Sequence, residues 1–130
     1  MDGFRSEYYV VMRLAEMYLI RAEANMLRSA ANKNNVIDDL NAIRHRAGLD
    51  HLPYTLTDQQ VTDAIAQERR VELFAEWGHR WLDLKRTNKA SEVLSQLSYK
   101  QPWSQHQLLY PVPPEERLWA NQLSQNEGYY

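Results

Sequence analysis

The sequence predicts an all-α fold: packed helical hairpins of tetratricopeptide-like type, followed by a loop-rich C-terminal tail. Three observations predict it. Apolar residues recur every three or four positions in long runs without Gly or Pro, as helices with one buried face require. A polar Asn-rich break and a Pro-containing break separate the first three runs. Four of the five prolines lie beyond residue 100, where the helical period fades into loops. With 130 residues, 44% of them hydrophobic, the chain suits a single domain over 1–130 that buries its own core.

The first run spans about Val10 to Ser29. Leu14, Tyr18, Ala22 and Met26 fall four apart, with Val11, Ala15 and Leu19 beside them, and Arg13, Glu16 and Glu23 on the polar remainder. Ala15, Ala22 and Ala24 permit close approach of neighbouring helices. Asn32-Lys33-Asn34-Asn35 breaks the pattern, and Asn34 or Asn35 is the expected cap of the second helix. Val36, Ile37, Leu40, Ile43 and Ala47 form its stripe, and Gly48 is the left-handed stop. Asp50 to Leu56 reads as a loop around Pro53. Thr57 with Gln60 has the spacing of a capping box, opening a long helix to about Trp77. Gly78 interrupts. Arg80 to Arg86 and Ala90 to Leu97 read as helical again. Pro114 begins a short helical turn through Arg117, and Asn121 to Tyr130 reads as an extended tail packed on the domain.

Charge and composition exclude several function classes. Fifteen Lys and Arg against 17 Asp and Glu give a net charge of -2, without the basic excess of a nucleic-acid binder. The absence of Cys removes disulfides, thiolate metal sites and thiol nucleophiles, and leaves the redox compartment open. Apolar runs stay below the ~18 residues that span a bilayer. Asp2-Gly3-Phe4-Arg5 is not followed by the apolar stretch of a secretory signal.

The most informative segment is Gln67 to Arg86. On a helical wheel Val61, Ala64, Ile65, Val71 and Ala75 share one face, and Glu68 and Glu72 lie within it. An unpaired buried carboxylate costs several kcal/mol, so these acids need partners, protons or a wet cleft. Arg44 and Arg46 end the second helix, and Arg80 and Arg86 flank Asp83. A guanidinium fork suits a buried carboxylate because it donates two charge-assisted bonds. The expectation is a structural ion-pair network of Glu68, Glu72 and Asp83 with two or more of Arg44, Arg69, Arg80 and Arg86. A catalytic carboxylate pair, as in glycoside hydrolysis, is the less favoured reading, because acids one turn apart are common in helices.

Other chemistries find less support. His79 and Asp83 are four apart but lack a second His, and His45, His51 and His106 have no ligand spacing, so no metal and no cofactor is expected. No serine sits in a Gly-x-Ser-x-Gly elbow, and no Gly-rich phosphate loop is present. Trp77 and Trp81 read as core. Trp103, beside Pro102, and Tyr54, beside Pro53, are loop aromatics that either cover the edge of the core or stack on a sugar ring, and they are the glycan-contact candidates. Tyr129 and Tyr130 read as docking anchors or as a disordered end.

Six segments, in order, carry a family resemblance: Met12 to Ala24, Leu40 to Leu49, Ile65 to Leu73, Glu76 to Arg86, Leu109 to Pro113, and Asn121 with Gln125 to Tyr129. Together they resemble the C-terminal part of the SusD/RagB family of Bacteroidetes outer-membrane nutrient-binding lipoproteins. The resemblance implies a protein that binds and does not catalyse. It implies a place on the cell surface, over a TonB-dependent transporter of the SusC type to which an oligosaccharide or other nutrient is delivered. In that light the Glu-Arg-Arg-Val-Glu and Gly-His-Arg-Trp-Leu-Asp-Leu-Lys-Arg motifs are scaffold signatures. Family members are longer and carry an acylated Cys, so this chain is expected to be a soluble fragment, the alternative being a truncated gene product. The stretch from Lys89 to Leu108 is short for an inserted ligand-binding lobe. Apolar surface left uncovered then leads to self-association. The alternatives are a tetratricopeptide-like adaptor for protein partners and, less favoured, a carboxylate-based glycosidase.

Overall fold

The computed structural model describes residues 10–29 and 32–130. Met1 to Arg5, read above for a secretory signal, lie outside the described residues. The chain is all-α, with no strand among the described residues. Among the described residues six α-helices follow one another: α1 Leu14–Arg28, α2 Lys33–Arg46, α3 Asp58–Glu72, α4 His79–Arg86, α5 Ala90–Leu94 and α6 Pro114–Trp119. Two 3₁₀ turns, Ser98–Lys100 and Gln105–Leu108, precede α6. No helix among the described residues is long and apolar enough to cross a membrane. The chain divides into two compact units, the first ending at Trp77 and the second running from Gly78 to Tyr130.

In the first unit α1 packs on α2 as a hairpin, and α3 packs against both. Leu19, Ala22, Val36, Ile37, Leu40 and Val61 are fully buried and form the centre of the core. Small residues at Ala15 and Ala22 let α1 approach its neighbours closely, as their spacing suggests. The buried stripe of α1 is narrower than its sequence implies. It runs along Ala15, Leu19 and Ala22, while Leu14 and Ala24 are exposed. Along α2, Val36, Ile37, Leu40 and Ile43 are buried and Ala47 is exposed.

Three boundaries depart from the expectation. First, α1 begins at Leu14, because Arg13 is extended (φ -126°, ψ 150°) and its guanidinium reaches away to the end of α3. Second, α2 is preceded by Asn32 with no side-chain cap, and Asn34 and Asn35 fall inside its first turn. Third, α3 stops at Glu72, five residues before Trp77. Arg13 takes the Glu72 carbonyl oxygen, and Ala75 and Trp77 adopt positive φ of 59° and 44°. Val71 and Ala75 are therefore exposed, and the buried face of α3 is Val61, Ile65, Glu68 and Arg69. Its start is the capping box: the Gln60 amide donates to Thr57 Oγ1 and the Thr57 amide to Gln60 Oε1.

In the second unit, Gly78 supplies the left-handed residue (φ 74°) from which α4 starts. Leu84 and Ala90 are its buried apolar residues among those described. The last helical stretch before the loops ends at Leu94, short of the expected Leu97, and α6 extends past Arg117 to Trp119.

Candidate functional site

Two places in the molecule carry chemistry. The first is a set of carboxylates in the helical core of the first unit. Asp39 of α2 accepts a two-pronged guanidinium bond from Arg21 of α1, at 3.0 and 2.5 Å. Glu68 of α3, its side chain 9% exposed, accepts from Arg44 of α2 at 2.5 Å. Arg44 also donates to the backbone carbonyl of Asp50. Asn41 clamps the same loop, exchanging two hydrogen bonds with the backbone of Leu52. One turn of α2 thus fixes both α3 and the segment leading to it.

Glu72 sits at the last position of α3, where the negative end of the helix dipole disfavours a carboxylate. Two guanidiniums offset this. Arg46 donates to one carboxylate oxygen at 2.5 Å and Arg13 to the other at 2.6 Å. Arg13 also donates to the Glu72 carbonyl at 2.6 Å and to both oxygens of Glu76 at 3.2 and 2.8 Å. It satisfies an orphan carbonyl and neutralises two acids, 59 and 63 residues away in the chain. Burial pushes the Glu72 carboxyl up, but the bonds from Arg46 and Arg13 outweigh it and hold the group below its ordinary value of 4.5. The same bonds, to Glu76 first and then Glu72, hold the Arg13 guanidinium more firmly protonated. The proton donor of a glycosidase needs the opposite shift, upward.

Of the residues read from the sequence, Glu68 and Arg44 are in contact. Arg69 is buried on α3. Asp83 pairs within its own helix with Arg86, at 2.9 Å, in the second unit, to which Arg80 also belongs. The sequence pattern does not single out Arg13, Arg21, Asp39 or Glu76. The signal available for Arg21 and Asp39 was a charge on or beside each buried stripe. Nothing local marks Arg13, since its partners come from the far end of another helix.

The second place is a cavity of about 830 Å³ within the second unit. Aromatic side chains of Trp81, Tyr99, Trp103 and Tyr110 form much of its wall. Arg80, Lys100, Gln101 and Gln107 supply polar groups. Trp81 comes from α4, Tyr99 and Lys100 from the first 3₁₀ turn, and Gln107 from the second. Trp103 is half-buried, and its indole N–H is buried with no acceptor among the described residues. Its ring is held at the wall by packing, and its backbone amide donates to Gln101 Oε1 at 3.3 Å. Tyr54, the other candidate aromatic, belongs to the first unit, and its hydroxyl donates to Asp38 at 2.5 Å. That bond raises its pKa, because the phenolate would face a carboxylate. The core role expected for Trp77 is not found: its backbone turns left-handed and the residue is 47% exposed. Trp81 is half-buried, with the Lys85 ammonium 5.4 Å from its ring centre.

The tail fastens the strand-like segment that carries Tyr110. Gln125 donates to the Val112 carbonyl and accepts from the Val112 amide, and Asn126 donates to the Tyr110 carbonyl at 2.6 Å. The Tyr129 hydroxyl donates to the Leu109 carbonyl, and its ring meets His106 edge-on at 5.0 Å. Tyr130 is fully exposed, and among the described residues it is no anchor. Gly128 (φ 85°) passes so close to His106 that a Cβ there would lie 2.4 Å from the imidazole Cγ. Among the described residues no three His, Asp or Glu side chains converge to hold a metal ion.

Comparison with known proteins places these features. The SusD family model matches residues 1–129. SusD-like protein P38 of Formosa agariphila is 34% identical over 128 residues, covering 92% of this chain and 24% of that protein. SusD-like protein P2 of the same organism is 31% identical over 135 residues, covering 95% of this chain and 26% of that one. Starch-binding protein SusD of Bacteroides thetaiotaomicron is 33% identical over 132 residues, covering 92% and 21%. The chain thus spans about a quarter of the length of the curated relatives it matches. No solved structure matches significantly.

Proposed function

The chain belongs to the SusD family, and on that premise we propose that it is the C-terminal scaffold portion of a nutrient-binding protein. The whole protein sits at the outer-membrane surface, captures an oligosaccharide and delivers it to a SusC-like TonB-dependent transporter. It binds and does not catalyse. The observation that carries this reading is the family match across both units, since 129 residues in register leave little of the chain for another role. The chemistry of the acids agrees with it. Asp39, Glu68 and Glu72 each accept from guanidiniums, and their role is to fix helix register rather than to turn over substrate. Trp103, and less directly Tyr54, are the aromatic groups offered to a sugar.

The remainder of the longer protein covers apolar surface that this chain leaves open. Ile20, Ala24 and Leu27 share one exposed face of α1, and the isolated chain self-associates through it.

The test uses the full-length parent co-expressed with a SusC-type transporter. Co-elution of the two proteins, and saturable heat on titration with maltoheptaose or another member of a glycan panel, without product, support the proposal. Hydrolysis that disappears in Glu72→Gln, or failure of the two proteins to associate, overturns it.

A further inference from the structure

The cavity of the second unit has a charge signature that an uncharged sugar does not need. Lys100 lines it, and no Asp or Glu does. Lys100 has no ion-pair partner among the described residues. This local surplus stands against a chain whose net charge is -2, so it does not follow from overall basicity. A concave site bounded by low-dielectric aromatic walls focuses the field of its charges and raises the local concentration of the opposite sign. Its volume of about 830 Å³ lies within the range of small-molecule sites.

We propose that this cavity is a binding site for an acidic saccharide, one bearing a carboxylate or a sulfate ester, with Trp103 and its neighbouring rings as the apolar platform and Lys100 as the group that selects the charge. The proposal rests on the saccharide-binding reading of the parent protein and names the class of sugar. The platform supplies contact area at low entropy cost, since an aromatic ring has two rotatable angles. The ammonium adds a charge-assisted bond to an anionic oxygen. Gln101 and Gln107 are uncharged and can serve either hydroxyl or anionic oxygens. Gln101 is itself fixed by donating to the Ser95 carbonyl. The tail contributes by holding the Tyr110 backbone through Asn126.

Isothermal titration of this chain with two matched pairs tests the proposal. One pair is oligogalacturonate and its methyl ester, and the other is a κ-carrageenan oligosaccharide and its desulfated form. The expected result is that the charged member of one pair binds, about tenfold tighter than its neutralised partner, and that about 0.5 M salt weakens it. Which pair responds decides between carboxylate and sulfate. Lys100→Gln lowers that affinity about threefold to tenfold and narrows the gap between partners, and Trp103→Ala removes binding of both. Circular dichroism of each variant establishes that the helices persist. Equal affinity for charged and neutral partners overturns the charge assignment while leaving the saccharide reading in place. Binding by none of the four probes overturns the cavity as a site for either acid class. A full-length parent that binds glycans unchanged by Lys100→Gln and Trp103→Ala overturns it too, without touching the proposed function.

Discussion

The two units of the chain are held together by different means. In the first, a continuous apolar core of α1, α2 and α3 is reinforced by guanidinium–carboxylate pairs at its edges. In the second, only Leu84 and Ala90 are buried apolar residues among those described, and the loops are fastened by side chains bonded to backbone. The first arrangement resists opening because many groups must be exposed together. The second gives up large burial and gains a cavity with aromatic walls. A scaffold and a binding surface ask for opposite solutions, and the difference is written in where the apolar area goes.

Breaking the first unit at its centre has the largest expected effect. Leu40→Ala removes a fully buried side chain and costs about 4 kcal/mol in urea denaturation, with the slope unchanged. Next comes Arg44→Met, which leaves the Glu68 carboxylate buried without its guanidinium and the Asp50 carbonyl without its donor. The expected cost is about 3 kcal/mol, part of which returns in the double variant with Glu68→Met. A double variant no more stable than Arg44→Met alone would show that the pair does not act as a unit.

These two positions also show what sequence could reveal. Leu40 and its stripe repeat at the helical period, so the hairpin and its core were legible from spacing. Glu68 was legible because a charge inside an apolar stripe demands a partner, and Arg44 was near enough in the hairpin to be named. Arg13 was not legible. It caps α3 from a chain segment that no local pattern links to it, and its action shortens α3 relative to the periodicity. The cavity was invisible for a related reason. Its walls come from a helix and two 3₁₀ turns in a stretch without period, where only Trp103 stood out by its neighbours.

A smaller effect, confined to the second unit, is expected from Gly128→Ala. The residue has φ 85° and its new Cβ meets the His106 ring. A loss of about 2 kcal/mol of local stability releases the tail, read as faster amide exchange at Val112 and Tyr129. The urea transition of α1 to α3 stays in place. A shift of that transition equal to the tail's loss would merge the two units into one.

The smallest effect is on pH dependence. Glu72 is held below the ordinary glutamate value of 4.5 when folded. Its contribution is therefore complete above that value and is lost as pH falls through the lower folded value. Acid titration of stability should show this loss, and Glu72→Gln should flatten it. An identical acid limb in the variant would mean that the carboxylate contributes nothing through its charge.

Amide hydrogen exchange of the intact chain under native conditions tests the division between the units most directly. The expected result is one slow class at Leu19, Leu40 and Ile65, with amides of α5 and of residues 98–108 exchanging at least about tenfold faster. Exchange at Val93, Leu94 and Leu108 as slow as at Leu19 and Leu40 would contradict it.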